Sequence, residues 1–184
     1  LSCNKKKSNS LQPLLFENIE LNRGDLLLCG DPNFGEVNFS LSCKYDLRET
    51  FNLGLTLIHS FEYAEAEKVF VSVLDKDPEC LMAYWGTAMS ILNHPLSFKQ
   101  NPKSLKRGEE LLEIAKKLTP NNKREKDYID AVSIYFEDWQ NLDTQTRKLN
   151  YERKMEELYN KYPDNVETAV FYSLSILATA DLND

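Results

Sequence analysis

Residues 59–70, HSFEYAEAEKVF, decide how this chain is read. A turn at His59-Ser60-Phe61 leads into a helix on which the small Ala66 is followed four residues later by the bulky Phe70, so both lie on one face. A helix with its smallest and largest side chains on one face meets one neighbour closely and fills the space toward another. Immediately upstream, DLRETFNLGLTLIHSF (46–61) places Phe51, Leu53, Leu55, Leu57 and Ile58 on a wide apolar face, with Asp46 and Glu49 at capping-box spacing. The two segments form a helical hairpin around the turn.

The same alternation continues to the end of the sequence. A second helix ends near Asp75, and Asp77-Pro78 supplies a cap and a first-turn proline for a third helix over 79–92. The prolines of NHPLSFKQNP predict a loop, followed by a fourth helix in KSLKRGEELLEIAKKL, a fifth in REKDYIDAVSIYF and a sixth in TQTRKLNYERKMEELYNKY. Asp164 and Glu167 repeat the capping-box spacing before a seventh helix, TAVFYSLSILATA. Pro78, Pro120 and Pro163 stand 42 and 43 residues apart, each closing the second helix of a hairpin. Helix pairs at a fixed period predict an all-α chain of antiparallel hairpins stacked as a solenoid. The predicted organisation is a flexible tether over 1–10, an irregular segment over 11–45 that packs on the repeats, and a repeat domain over 46–184. That domain holds three hairpins and an unpaired last helix.

Leu53, Gly54, Ala66, Phe70 and Pro78 stand at the offsets of a tetratricopeptide repeat, which the first hairpin therefore resembles. Thr50 and Leu57 replace the aromatic residues of that pattern. In such a hairpin Gly54 and Ala66 let the helix backbones approach, and Phe70 fills the space toward the next pair. In the second copy Tyr84, Gly108 and Leu112 take the equivalent places; in the third, Tyr151 stands where a small residue is expected, followed by Met155. Residues 38–98, with HSFEY, DPECLMAYWGTAMS and HPL, resemble a group of bacterial envelope proteins built of such repeats. The resemblance implies fold and lipoprotein character, and brings no catalytic residue.

In this family the groove is lined by the first helix of each pair. The resemblance thus implies a groove of Phe51, Leu55 and His59 from the first hairpin and Trp85 and Met89 from the second. That lining is apolar and aromatic, unlike the Lys/Asn lining of relatives that clamp a carboxylate terminus. Such a groove either takes a hydrophobic helix or peptide or is filled by residues 11–43; filling is favoured because large exposed apolar patches are uncommon.

A net charge of -7, from 29 acidic and 22 basic residues, speaks against a nucleic-acid partner. Leu1-Ser2-Cys3 resembles the end of a lipobox, which would make Cys3 the lipid-bearing residue and place the protein in a bacterial envelope, held to the membrane by acyl chains alone. Cys29 and Cys43 flank GDPNFGEVNFSLS, read as turns and a short extended run, and form a candidate disulfide in such a compartment; two free thiols are the alternative.

No phosphate-cradling loop, nucleophile elbow or paired-histidine metal motif is present, and neither an enzymatic activity, a cofactor nor a metal is expected. His59 and His94 lie near equivalent ends of successive first helices, but two histidines without a placed carboxylate make a poor metal site. These features favour a scaffold for an unidentified protein or peptide partner. A glycan- or small-molecule-binding lipoprotein using Tyr84, Trp85 and Trp139 for stacking is the alternative. Val170, Phe171, Tyr172, Leu174, Ile176 and Leu177 make the seventh helix apolar nearly all round, which predicts self-association or further docking through residues 166–180.

Overall fold

The computed structural model describes residues 15–28, 35–92 and 101–180. Cys3, Cys29 and His94, with the tether expected over 1–10, lie outside the described residues. Seven helices follow in order, with no strand among the described residues: α1 Arg48–His59, α2 Tyr63–Lys76, α3 Leu81–Leu92, α4 Pro102–Ala115, α5 Lys123–Phe136, α6 Thr144–Lys161 and α7 Val166–Thr179. Each packs against the helix before it, and α3 also meets α1 and α5. The fold is all-α.

The helix starts follow local chemistry. Asn101, Asn122, Asp143 and Asn165 each accept a backbone N–H of the first turn, capping α4, α5, α6 and α7. Three expected caps are corrected. Asp46 falls in a 3₁₀ turn, Tyr45–Leu47, and α1 begins after Leu47 without a side-chain cap. Asp164 cedes its role to Asn165. Asp77 turns its carboxylate to the backbone N–H of Lys44 at 3.2 Å, while its carbonyl accepts from Cys80.

The centre of the molecule is α3, whose sequence LMAYWGTAMSIL contains no charge and whose every residue is buried. Packing around it answers the small-and-large pattern of the sequence. The fully buried ring of Phe70 lies between α1 and α3: a Cβ built on Gly54 would come within 2.8 Å of it, and one on Gly86 within 2.5 Å. Phe136 of α5 lies against Gly108 of α4 in the same way, a Cβ there falling 2.1 Å from the ring. Leu53, expected inside the first hairpin, is instead 39% exposed. In the third hairpin bulky Tyr151 is buried and reaches α3, its hydroxyl 3.6 Å from the Met89 sulfur.

Before the 3₁₀ turn, the described residues 15–28 and 35–44 form no helix or strand and bury Phe16, Ile19, Leu21 and Phe39. The segment's backbone donors would be orphaned against an apolar surface, and helix side chains take them up. Glu67 accepts both the backbone and side-chain N–H of Asn22 at 2.9 and 2.8 Å, Glu65 accepts Leu27 N–H at 2.9 Å, and Glu125 accepts Ser42 N–H at 2.6 Å. The covalent tie corrects the pairing expected from sequence. Cys43 is bonded to Cys80 at the start of α3, which excludes a Cys29–Cys43 bridge. Although Cys29 is nearer in sequence, the Lys44–Asp77 hydrogen bond draws the segment toward α3, and the Cα atoms of Cys43 and Cys80 stand 4.9 Å apart, within the range a disulfide spans.

Candidate functional site

Phe51, Leu55, Trp85 and Met89, four of the five groove residues expected from the sequence, are all buried. Three side chains from elsewhere cover them. Phe39 of the N-terminal segment lies 5.7 Å from Phe51 and 5.8 Å from Tyr128, ring centre to ring centre. Its backbone N–H donates to Asn52 Oδ1, and the Arg124 guanidinium sits over its ring. Tyr128 of α5 meets Trp85 edge-on at 5.3 Å, and Phe171 of α7 meets the same indole at 5.1 Å. Edge-to-face contacts of this kind add to the apolar burial that closes the face.

The fifth residue, His59, holds α7 in place. Its Nε2 lies 2.7 Å from the Glu167 carboxylate, and its ring stacks on Phe171 at 5.4 Å. At the residue of α7 after Glu167, the Tyr128 hydroxyl is 2.7 Å from Thr168 Oγ1, and burial pushes the Tyr128 phenol up to about 12. The helix expected to stand free is therefore docked by its inner side, with Thr168, Phe171 and Ser175 buried. Among the described residues no group of three metal-ligating side chains is positioned to hold an ion, and no helix is long and apolar enough to cross a membrane.

The stacking residues considered for a glycan are differently placed. Tyr84 and Trp85 are buried, Tyr84 against Phe16 and bonded to the Pro78 carbonyl. Trp139 is partly buried, and its indole N–H donates to Glu109 at 2.9 Å.

The outer side of α7 is open to solvent. Val166 is 72% exposed, Leu177 51% and Ile176 43%. With Ala169, Val170 and Ser173 they form a face without a charged group, because Glu167 is the one charged residue of α7 and bonds to His59. Tyr159 and Pro163 of the preceding hairpin join Val166, Val170, Leu174 and Leu177 in an open trough of about 500 Å³. The apolar character of this helix is legible in the sequence. Its division into a docked side and an open side is not, because Phe171 finds Trp85 across 86 residues of chain.

In comparisons with known proteins the chain matches no family model, no curated protein and no solved structure.

Proposed function

We propose that the chain is a protein-interaction scaffold of tetratricopeptide-like hairpins stacked as a short solenoid, and that its docking surface is the outer face of α7. The observation that carries this reading is that a helix docked on one side keeps an uncharged, apolar stripe toward solvent on the other; contiguous apolar surface of this kind marks an interaction site. The fit of Phe70 between Gly54 and Gly86 supports the hairpin register. The residues that the tetratricopeptide resemblance assigns to a groove are covered by Phe39 and Phe171, which supports a partner surface at the edge of the array instead.

The Cys43–Cys80 bond supports a compartment outside the reducing cytosol, and with the lipobox-like Leu1-Ser2-Cys3 it favours a lipid-anchored protein of a bacterial envelope. A glycan-binding role has less support, since Tyr84 and Trp85 offer no open face. A photo-crosslinking amino acid at Leu177 in cells tests the proposal. Discrete protein adducts from that position, with none from exposed Glu110 on α4, are expected. Equal labelling from both positions, or none from Leu177, would contradict it.

A further inference from the structure

The open face of α7 has a shape and a charged rim, and both constrain its occupant. Building on the scaffold reading above, we infer that this face receives a single amphipathic helix of another protein, with an aromatic residue in its apolar stripe and basic residues beside it.

Val166, Ala169, Val170, Ser173, Ile176 and Leu177 recur at the three- and four-residue spacing of one helix face, the pattern into which a partner helix packs. The middle of that stripe is small, at Ala169 and Ser173, and its ends are larger, at Val166 and Leu177. Wherever the interior presents a glycine on a helix face at close approach, a phenylalanine ring lies over it: Phe70 over Gly54 and Gly86, and Phe136 over Gly108. Ala169 and Ser173 keep a Cβ and so make a shallower dip than those glycines, but they are the smallest side chains of the stripe and line the open trough. An aromatic side chain is the matching shape.

Glu152 of α6 accepts the Thr179 hydroxyl at the end of α7, and Asp164 lines the trough itself. Of the α6 cations, Lys154 is paired with Glu157 and Lys161 with Asp127, and Arg153 beside Glu152 is exposed. A partner that brings Lys or Arg to this rim gains charge complementarity. A second copy does not, since α7 has no Lys or Arg and each chain carries a net charge of -7. Size points the same way. A 14-residue helix face is about 21 Å by 10 Å, well under the roughly 800 Å² per partner of a stable subunit interface.

The test is a selection from a displayed library of helical peptides, with stripe and flank positions randomised, against the disulfide-intact full chain. Enriched peptides should carry Phe or Trp in the stripe and Lys or Arg on the flank, and their affinity should fall as salt is raised. Ser173→Glu, at an exposed position, should weaken them by about tenfold or more with the circular dichroism spectrum and melting temperature unchanged. Enrichment of acidic or uncharged flanks, or binding indifferent to Ser173→Glu, would overturn the inference. Sedimentation of the same chain separates the two levels of the proposal. A dimer abolished by Ser173→Glu would make a second copy the occupant, overturning this inference while leaving the scaffold reading. A monomer that enriches no peptide would remove both.

Discussion

Replacing Gly86 with alanine adds one methyl group in the middle of α3, and the structure puts that methyl 2.5 Å from Cδ1 and Cε1 of Phe70 and 2.7 Å from Cγ. The ring has little room to retreat. It is fully buried, it lies against Gly54 on α1, where a Cβ would also fall within 2.8 Å, and it meets the Phe51 ring at 5.2 Å. Glycine to alanine within a helix ordinarily stabilises by about 1 kcal/mol through backbone entropy. Overpacking of a tight core costs about 1–3 kcal/mol, so the net effect of Gly86→Ala should be a loss of up to about 2 kcal/mol. The sign should reverse when the ring is removed. Phe70→Ala alone should cost about 3–5 kcal/mol by emptying the space between α1 and α3, and adding Gly86→Ala to it should recover about 1 kcal/mol. Urea unfolding of the four proteins, compared at constant slope, reads the coupling directly. Stabilisation by Gly86→Ala in the otherwise unchanged protein would refute the placement of Phe70 and the hairpin register with it.

Loss of the Cys43–Cys80 bond, by reduction or in Cys43→Ser, should lower stability by about 4 kcal/mol in the chain-entropy model, measured by urea unfolding. Non-reducing peptide mapping should recover those two cysteines linked, and a Cys29–Cys43 peptide would contradict the structure. Burial works against ionisation of Asp127, but hydrogen bonds from Lys161 and Tyr162 outweigh it and hold the carboxyl below its usual range. Its contribution to stability is therefore present above the unfolded carboxyl value of about 4 and is lost as pH falls through the lower folded value; Asp127→Asn should flatten the acid limb of a stability–pH profile. Tyr128→Phe should cost about 1 kcal/mol by removing the bond to Thr168. Because the folded phenol is pushed up to about 12, its contribution is full below pH about 10 and lost as pH rises toward 12, so the variant should lose less stability over that interval.

All seven helices were legible in the sequence to within a few residues, because apolar spacing and Pro78, Pro120 and Pro163 are local signals. Phe70 was legible as a space-filling residue for the same reason: Gly54 and Ala66 announce a close approach within one hairpin. Pairings across distant segments were not. Cys43 bonds to Cys80 because the Lys44–Asp77 contact carries it to α3, and spacing alone favoured Cys29. Caps shifted by one residue where Asn165 competed with Asp164, since either side chain can accept the first-turn donor. Phe51, Leu55, Trp85 and Met89, expected to line a groove, lie in the core instead, and what covers them was legible only in part. Phe39 lies inside the segment expected to fill the face, whereas Phe171 and Glu167 return from the far end of the chain through contacts no local pattern encodes.

Among the described residues, α7 closes the face lined by Trp85, with the Phe171 ring against the indole. The chain contains two tryptophans, Trp85 and Trp139, so a Trp139→Phe protein reports on Trp85 alone. Its fluorescence should be blue-shifted and nearly insensitive to acrylamide, and Phe171→Ala in that background should increase quenching while the helical circular dichroism remains. A red-shifted, readily quenched Trp85 in the parent, unchanged by Phe171→Ala, would show an open face and contradict the account.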